Sequence, residues 1–153
     1  MSVDVMSEIV INCPCEEVAA YSSNPDNAPE WYKNIKSVEW QTPKSLEIGS
    51  QISFVAHFLG RELAYTYEVV ELIPRQKFIM RTAEGPFPME TSYVWESTPE
   101  GGTRMMLRNR GQPAGFSKLL APFMASAMRR ANRKDLTCLK NLLEGQNHTV
   151  SKI

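Results

Sequence analysis

Few residues in this chain could do chemistry. Three cysteines (Cys13, Cys15, Cys138) and two histidines (His57, His148) make up its soft metal ligands and its proton carriers near neutral pH. Tetrahedral zinc wants about four ligands at C-x(2–4)-C or H-x(3–5)-H spacing, and these five supply no such set. No metal and no cofactor are expected. An odd cysteine count in a chain with this much core reads as structural thiols and a cytoplasmic location, not as a secreted disulfide framework. No P-loop, G-x-G-x-x-G, H-E-x-x-H or G-x-S-x-G motif occurs.

The charged residues are unevenly placed. Residues 1–50 hold eight acids against Lys33, Lys36 and Lys44, whereas residues 101–144 hold nine Lys or Arg against Asp135 and Glu144. Arg129, Arg130, Arg133 and Lys134 cluster in the second group. With no aromatics between them, they read as the solvated back of a helix and not as a nucleic-acid surface.

The whole chain has 153 residues, 17 Lys+Arg balanced by 17 Asp+Glu, with 42% apolar and 22% charged residues. One domain is expected at that length, and disorder, coiled coil and collagen are excluded. Zero net charge argues against nucleic acid or an anionic membrane as the main partner. The N-terminus carries Asp4 and Glu8 and lacks the basic region of a signal peptide. The longest apolar stretch, Leu119 to Met128, is too short to span a bilayer, so no integral membrane association is expected.

The elements that must position any site follow from periodicity. Val3, Val5, Ile9 and Ile11 alternate against Asp4 and Glu8, which predicts a half-buried strand. Pro14 with Glu16 and Glu17 opens a short helix, Asn24-Pro25-Asp26 stops it, and a second short turn carries Trp31 and Tyr32. From Ile35 to Gly111 short alternating runs are broken by Gly60, Pro74, Gly85-Pro86 and Gly101-Gly102, the pattern of an antiparallel meander with one dry face. Residues 116–144 change period: Phe116, Leu120, Phe123, Ala127 and Ala131 recur three or four apart, and Leu139, Leu142 and Leu143 continue the stripe. Gly145 is the expected stop of this long helix, leaving residues 1–145 as the domain and 146–153 as a flexible tail. Only that helix is long enough to cover the dry face, and the gap where sheet and helix diverge is where a ligand would bind.

Alternation assigns sixteen positions to the covered face: Ile52, Phe54, Ala56, Phe58, Leu63, Tyr65, Tyr67, Val69, Phe78, Met80, Thr82, Thr91, Tyr93, Trp95, Met105 and Leu107. A two-residue loop at Leu59-Gly60 sets Phe54 opposite Tyr65 and Ala56 opposite Leu63. None of the sixteen is Asp, Glu, Lys, Arg or His. Without a titratable pair, acid–base chemistry has no carrier on that face, although Glu30 or Arg61 could bring a charge from a short helix or loop. Glu62, Glu68, Glu90, Glu96 and His57 fall on the outer face.

The order of elements comes with recognisable local phrases. These are Ile11-Asn12-Cys13-Pro14-Cys15-Glu16-Glu17-Val18, Asn24-Pro25-Asp26-Asn27-Ala28-Pro29-Glu30-Trp31, Ile48-Gly49, Gly60-Arg61, Tyr67-Glu68-Val69-Val70-Glu71-Leu72-Ile73-Pro74 and Glu100-Gly101-Gly102-Thr103-Arg104. Over residues 3–144 the chain resembles the START-like superfamily, also called SRPBCC or the polyketide cyclase/dehydrase family. The resemblance implies an α+β helix-grip fold: a curved antiparallel sheet of about seven strands wrapped round a long C-terminal helix, with two short helices after the first strand. It also implies hydrophobic-ligand carriage, cyclase or dehydratase activity, and does not choose among them.

The residues favour binding of a small, largely hydrophobic molecule, such as a lipid, isoprenoid or polyketide-like compound, between sheet and helix. A polyketide cyclase or dehydratase is the alternative, and an interaction module using the basic helix face is the third. The expected ligand-binding residues are Trp31 at the mouth, Phe54, Phe58, Tyr65, Tyr67, Met80, Thr91, Tyr93, Trp95, Met105, Phe123 and Ala127, with Tyr67 and Tyr93 as polar handles. No catalytic residue is assigned, and oligomeric state is not legible.

Overall fold

The computed structural model describes residues 3–58, 60–85, 88–111 and 121–151, with main chain alone at 58, 121, 122 and 146–151. Strand β1 (Val3–Ile11) is followed by α1 (Cys15–Ser23), a 3-10 turn (Pro25–Asn27) and α2 (Ala28–Trp31). Six strands come next: β2 (Ile35–Trp40), β3 (Gln51–Phe58), β4 (Arg61–Ile73), β5 (Lys77–Glu84), β6 (Met89–Ser97) and β7 (Thr103–Gly111). Helix α3 (Ala121–Ser151) closes the chain.

One seven-stranded sheet results, in the order β1-β7-β6-β5-β4-β3-β2, with every pair antiparallel. The chain meanders from β2 to β7 and β1 adds beyond β7, so β1 and β2 are the two edges. The short helices carry the chain from one edge to the other. The Pro14 carbonyl caps α1 by accepting from the amides of Glu17 (3.0 Å) and Val18 (3.1 Å), while Glu16 and Glu17 place negative charge in its first turn. Register slips between Ile35 and Ser37, Thr66 and Tyr67, and Val69 and Glu71 are bulges that bend and twist the strands they interrupt. Between β6 and β7, Gly101 turns the chain at φ +83°, a conformation that favours glycine.

Alternation places the dry face as expected. Phe54 faces Tyr65 and Ala56 faces Leu63 across β3 and β4, and Ile52, Val69, Phe78, Met80, Tyr93, Trp95, Met105 and Leu107 are buried on the same side. The phase of α3 differs from the expectation. Its buried stripe is Met124, Met128, Asn132, Asp135, Leu136, Leu139 and Leu143, while Phe123 is 72% exposed and Ala127 is only half-buried. The steps 124, 128, 132, 135, 139 and 143 keep the 3.6-residue period, but two members are polar, so a stripe traced through apolar residues alone slips to the neighbouring face. Phe116 and Leu120 lie outside the described residues. Nor does the helix stop at Gly145; it runs on to Ser151.

Two apolar clusters hold α3 in place. Leu136, Leu139 and Leu143 pack with Ile11, Trp31, Ile52 and Phe78, and Met124 and Met128 pack with Val3 and Val5 of β1 and with Leu63 and Tyr65 of β4. Lys140 Nζ donates to the Val10 carbonyl (2.8 Å), and the Asn12 amide donates to Glu144 (2.9 Å), tying the helix to the β1 edge.

Candidate ligand-binding cavity

The inner face of the sheet has two zones. Around Trp95 and Met105 it is solid: Trp95 on β6 sends its indole N–H to Ser22 Oγ (3.1 Å), at the border of the cavity, and Met105, opposite both Trp95 and Ile9, is fully buried. Farther along, sheet and α3 part and leave a cavity of about 170 Å³. Phe54, Leu63 and Tyr65 of β3 and β4, Phe78 and Met80 of β5, and Met124, Met128 and Ala131 of α3 form its apolar wall. Exposed Asn24 and His57 stand at its rim, the latter 3.9 Å from Glu62.

One end of the cavity is polar, and most of it comes from residues outside the sixteen strand positions. The hydroxyls of Tyr32, just after α2, and Tyr93, on β6, share a hydrogen bond of 2.6 Å. A second chain runs from β6 through β7 to α3: Thr91 Oγ1 donates to Asn109 Oδ1 (2.7 Å), and Asn109 Nδ2 donates to Asn132 Oδ1 (3.1 Å). Asp135, one turn beyond Asn132, is 3% exposed and accepts from the Lys33 backbone amide (3.2 Å).

Burial shifts the titration of this end. The Asp135 carboxyl is pushed up to about 6 by desolvation, which outweighs the Lys33 amide bond and the Lys33 charge. Desolvation pushes Tyr67 up to about 12 against a hydrogen bond with Thr91, and raises Tyr32 and Tyr93 as well. All three tyrosines are therefore neutral donors at ordinary pH.

Six of the twelve expected residues line the cavity: Phe54, Tyr65, Tyr67, Met80, Thr91 and Tyr93. Five others belong elsewhere. Trp31 is fully buried behind Tyr32, ring centroids 4.1 Å apart, and the adjacent tyrosine takes the wall position instead. Trp95 and Met105 lie in the solid zone, because alternation gives the face of a strand and not the position along it. Phe123 points to solvent because the helix phase is shifted. Ala127 is half-buried and off the cavity wall. The Phe58 side chain lies outside the described residues.

The covered face also carries a charge after all. Asp135 supplies it from α3, whereas Glu30, bonded to Tyr21, and Arg61 are exposed and off the wall. Asn109 was within reach of the sequence, since Met105 and Leu107 alternate onto it. So were Asn132 and Asp135, which fill two steps of the 3.6-residue stripe.

This architecture and the residues that build it match a known pattern. The sequence signature described as polyketide cyclase / dehydrase and lipid transport fits residues 2–144. The chain belongs to that family. Among solved structures, the START superfamily protein from Mycobacterium smegmatis shares the fold at TM-score 0.80 and 13% identity, covering 94% of this chain and 98% of its own. The Zhui aromatase/cyclase from Streptomyces sp. R1128 gives 0.79 and 14%, covering 94% of each chain. TTHA0849 from Thermus thermophilus gives 0.78 and 21%, covering 90% of this chain and 94% of its own. At such identities the likeness is one of fold. No protein of curated function matches the sequence. Family and fold fit hydrophobic ligand binding or polyketide cyclase activity, and among the described residues no helix is long and apolar enough to cross a membrane.

Proposed function

We propose that this protein binds a small, largely apolar molecule between the sheet and α3, with any oxygen of that molecule directed to the Tyr32–Tyr93 and Asn132–Asp135 end. One observation carries this reading: a cavity whose sheet and α3 walls are apolar and which also holds the hydrogen-bonded polar group of Tyr32, Tyr93, Asn132 and Asp135. The volume sets the ligand's size. An apolar cavity of about 150 Å³ holds a benzene-sized guest, so about 170 Å³ suits a compact ligand or one end of a longer one projecting past the rim. A cytoplasmic location and the absence of a nucleic-acid partner belong to the same proposal, supported by three cysteines outside any disulfide and by zero net charge. Native mass spectrometry of protein purified from its own host tests the binding reading. A retained small neutral mass, released on unfolding, supports it; a bare protein mass from gentle preparations would count against it.

The position of Asp135 favours a second reading, that of a cyclase or dehydratase. A buried carboxyl titrating at about 6 beside two neutral tyrosines can pass a proton to or from an oxygen on a bound ligand. On this reading Asp135→Asn abolishes dehydration of a β-hydroxy ketone and leaves its binding intact. On the binding reading the wild type shows no turnover to lose.

A further inference from the structure

We infer that the cavity discriminates by charge, accepting neutral carbonyl-bearing ligands and rejecting carboxylates, with Asn132 Nδ2 as the donor that meets the carbonyl oxygen and Asp135 as the charge that repels an anion. This rests on the binding reading and names the ligand class for it.

Asn132 carries the first half. It is 4% exposed, lines the cavity, and its Oδ1 is taken by Asn109. Its Nδ2 has no hydrogen-bond partner among the described residues. Buried polar groups are almost always satisfied, so an unpartnered buried amide on a residue of the cavity wall marks where a ligand acceptor can complete the set. The chain from Thr91 through Asn109 fixes which way the amide points, because each member is held by the one before it.

Asp135 carries the second half. Three residues on from Asn132, it lies on the same face of α3 and on the same cavity wall. The groups facing it are Lys33 from the segment after α2, Tyr32 beside it, and Tyr93 from the sheet. Lys33 stands off the wall, and the described residues lining the cavity include no Lys or Arg. A carboxylate entering this end thus meets a like charge, with Lys33 already engaged by Asp135 and no Lys or Arg among the described wall residues, in surroundings that screen poorly. A ketone, aldehyde or ester carries no charge for Asp135 to repel and can accept from Asn132 Nδ2. Since the Asp135 carboxyl titrates at about 6, rejection of carboxylates should be full at pH 7.5 and weaken toward pH 5.

Three ligands of equal chain length test this: octane, methyl hexyl ketone and octanoate, titrated at pH 7.5 and followed by backbone and Asn side-chain amide resonances. The ketone should bind about 2- to 13-fold tighter than octane, the range for one neutral hydrogen bond, and shift the Asn132 side-chain amide. Octanoate should bind more weakly than the ketone at pH 7.5 and gain on it in Asp135→Asn at the same pH. Asn132→Leu should erase the ketone's advantage over octane. The double variant Asn109→Leu/Asn132→Leu removes both ends of their bond and keeps the test valid if the single variant folds poorly. Octanoate matching the ketone in wild type, or a ketone advantage that survives loss of Asn132, would overturn the inference while octane binding left the cavity reading intact. Failure of all three ligands to bind would overturn both.

Discussion

The hydroxyls of Tyr32 and Tyr93 meet at 2.6 Å, joining the loop after α2 to the middle of the sheet at the polar end of the cavity. Tyr93 also stacks on Phe78 at 5.6 Å and meets Trp31 at 5.8 Å, so its ring is held on two sides. Removing either hydroxyl deletes the same bond. Tyr32→Phe and Tyr93→Phe should each cost about 0.5–1.5 kcal/mol, and the double variant should cost less than their sum. Urea denaturation of the four proteins checks this; strict additivity would mean that the bond does not couple the two residues.

Asp135 makes stability depend on pH in an unusual sense. Its folded carboxyl titrates at about 6 against an ordinary 3.8, so the folded state binds the proton more readily than the unfolded one. The stability it contributes when protonated is therefore lost as pH rises through that window, and the full cost persists above it. Asp135→Asn should be more stable than wild type at pH 7, by about 1–3 kcal/mol at roughly 1.4 kcal/mol per pH unit, and indistinguishable from it near pH 4. Thermal melts across that range read the difference directly. A variant that was less stable at pH 7 would show that the ionised carboxyl is held by favourable contacts.

The two faces of α3 should respond oppositely to truncation. Leu139 is fully buried against the sheet, and Leu139→Ala should cost about 2–5 kcal/mol. Phe123 is 72% exposed, and Phe123→Ala should fall within about 0.5 kcal/mol of wild type. A large loss at Phe123 would mean that the helix phase described above is wrong.

These contrasts also show what the sequence could and could not tell. The pleat has a strict period of two, so Phe54 and Tyr65 could be placed on one face and opposite each other from the turn alone. The helix has a looser period, and the residues that complete its buried stripe, Asn132 and Asp135, are types usually found outside. A trace that follows apolarity passes over them and settles on Phe123 and Ala127. Trp31 and Tyr32 pose a different problem: they are adjacent where a four-residue helix ends, and no periodicity decides which ring takes the wall. The cavity is legible as an apolar gap between sheet and helix, whereas its polar end is built by side chains from four separate elements that only the fold brings together.

The central claim, that the gap between sheet and α3 is a working ligand site, has a direct test in Ala131→Phe. Ala131 lies on the cavity wall and is half-buried, so a phenyl ring there should fill the space while the leucine stripe of the helix stays packed. The measurement is an NMR titration with octane on wild type and variant. In wild type, saturable shifts should concentrate at Phe54, Leu63, Tyr65, Met124 and Met128; in a folded Ala131→Phe protein, they should vanish. Undiminished binding in that variant, or wild-type shifts clustered elsewhere on the surface, would contradict it.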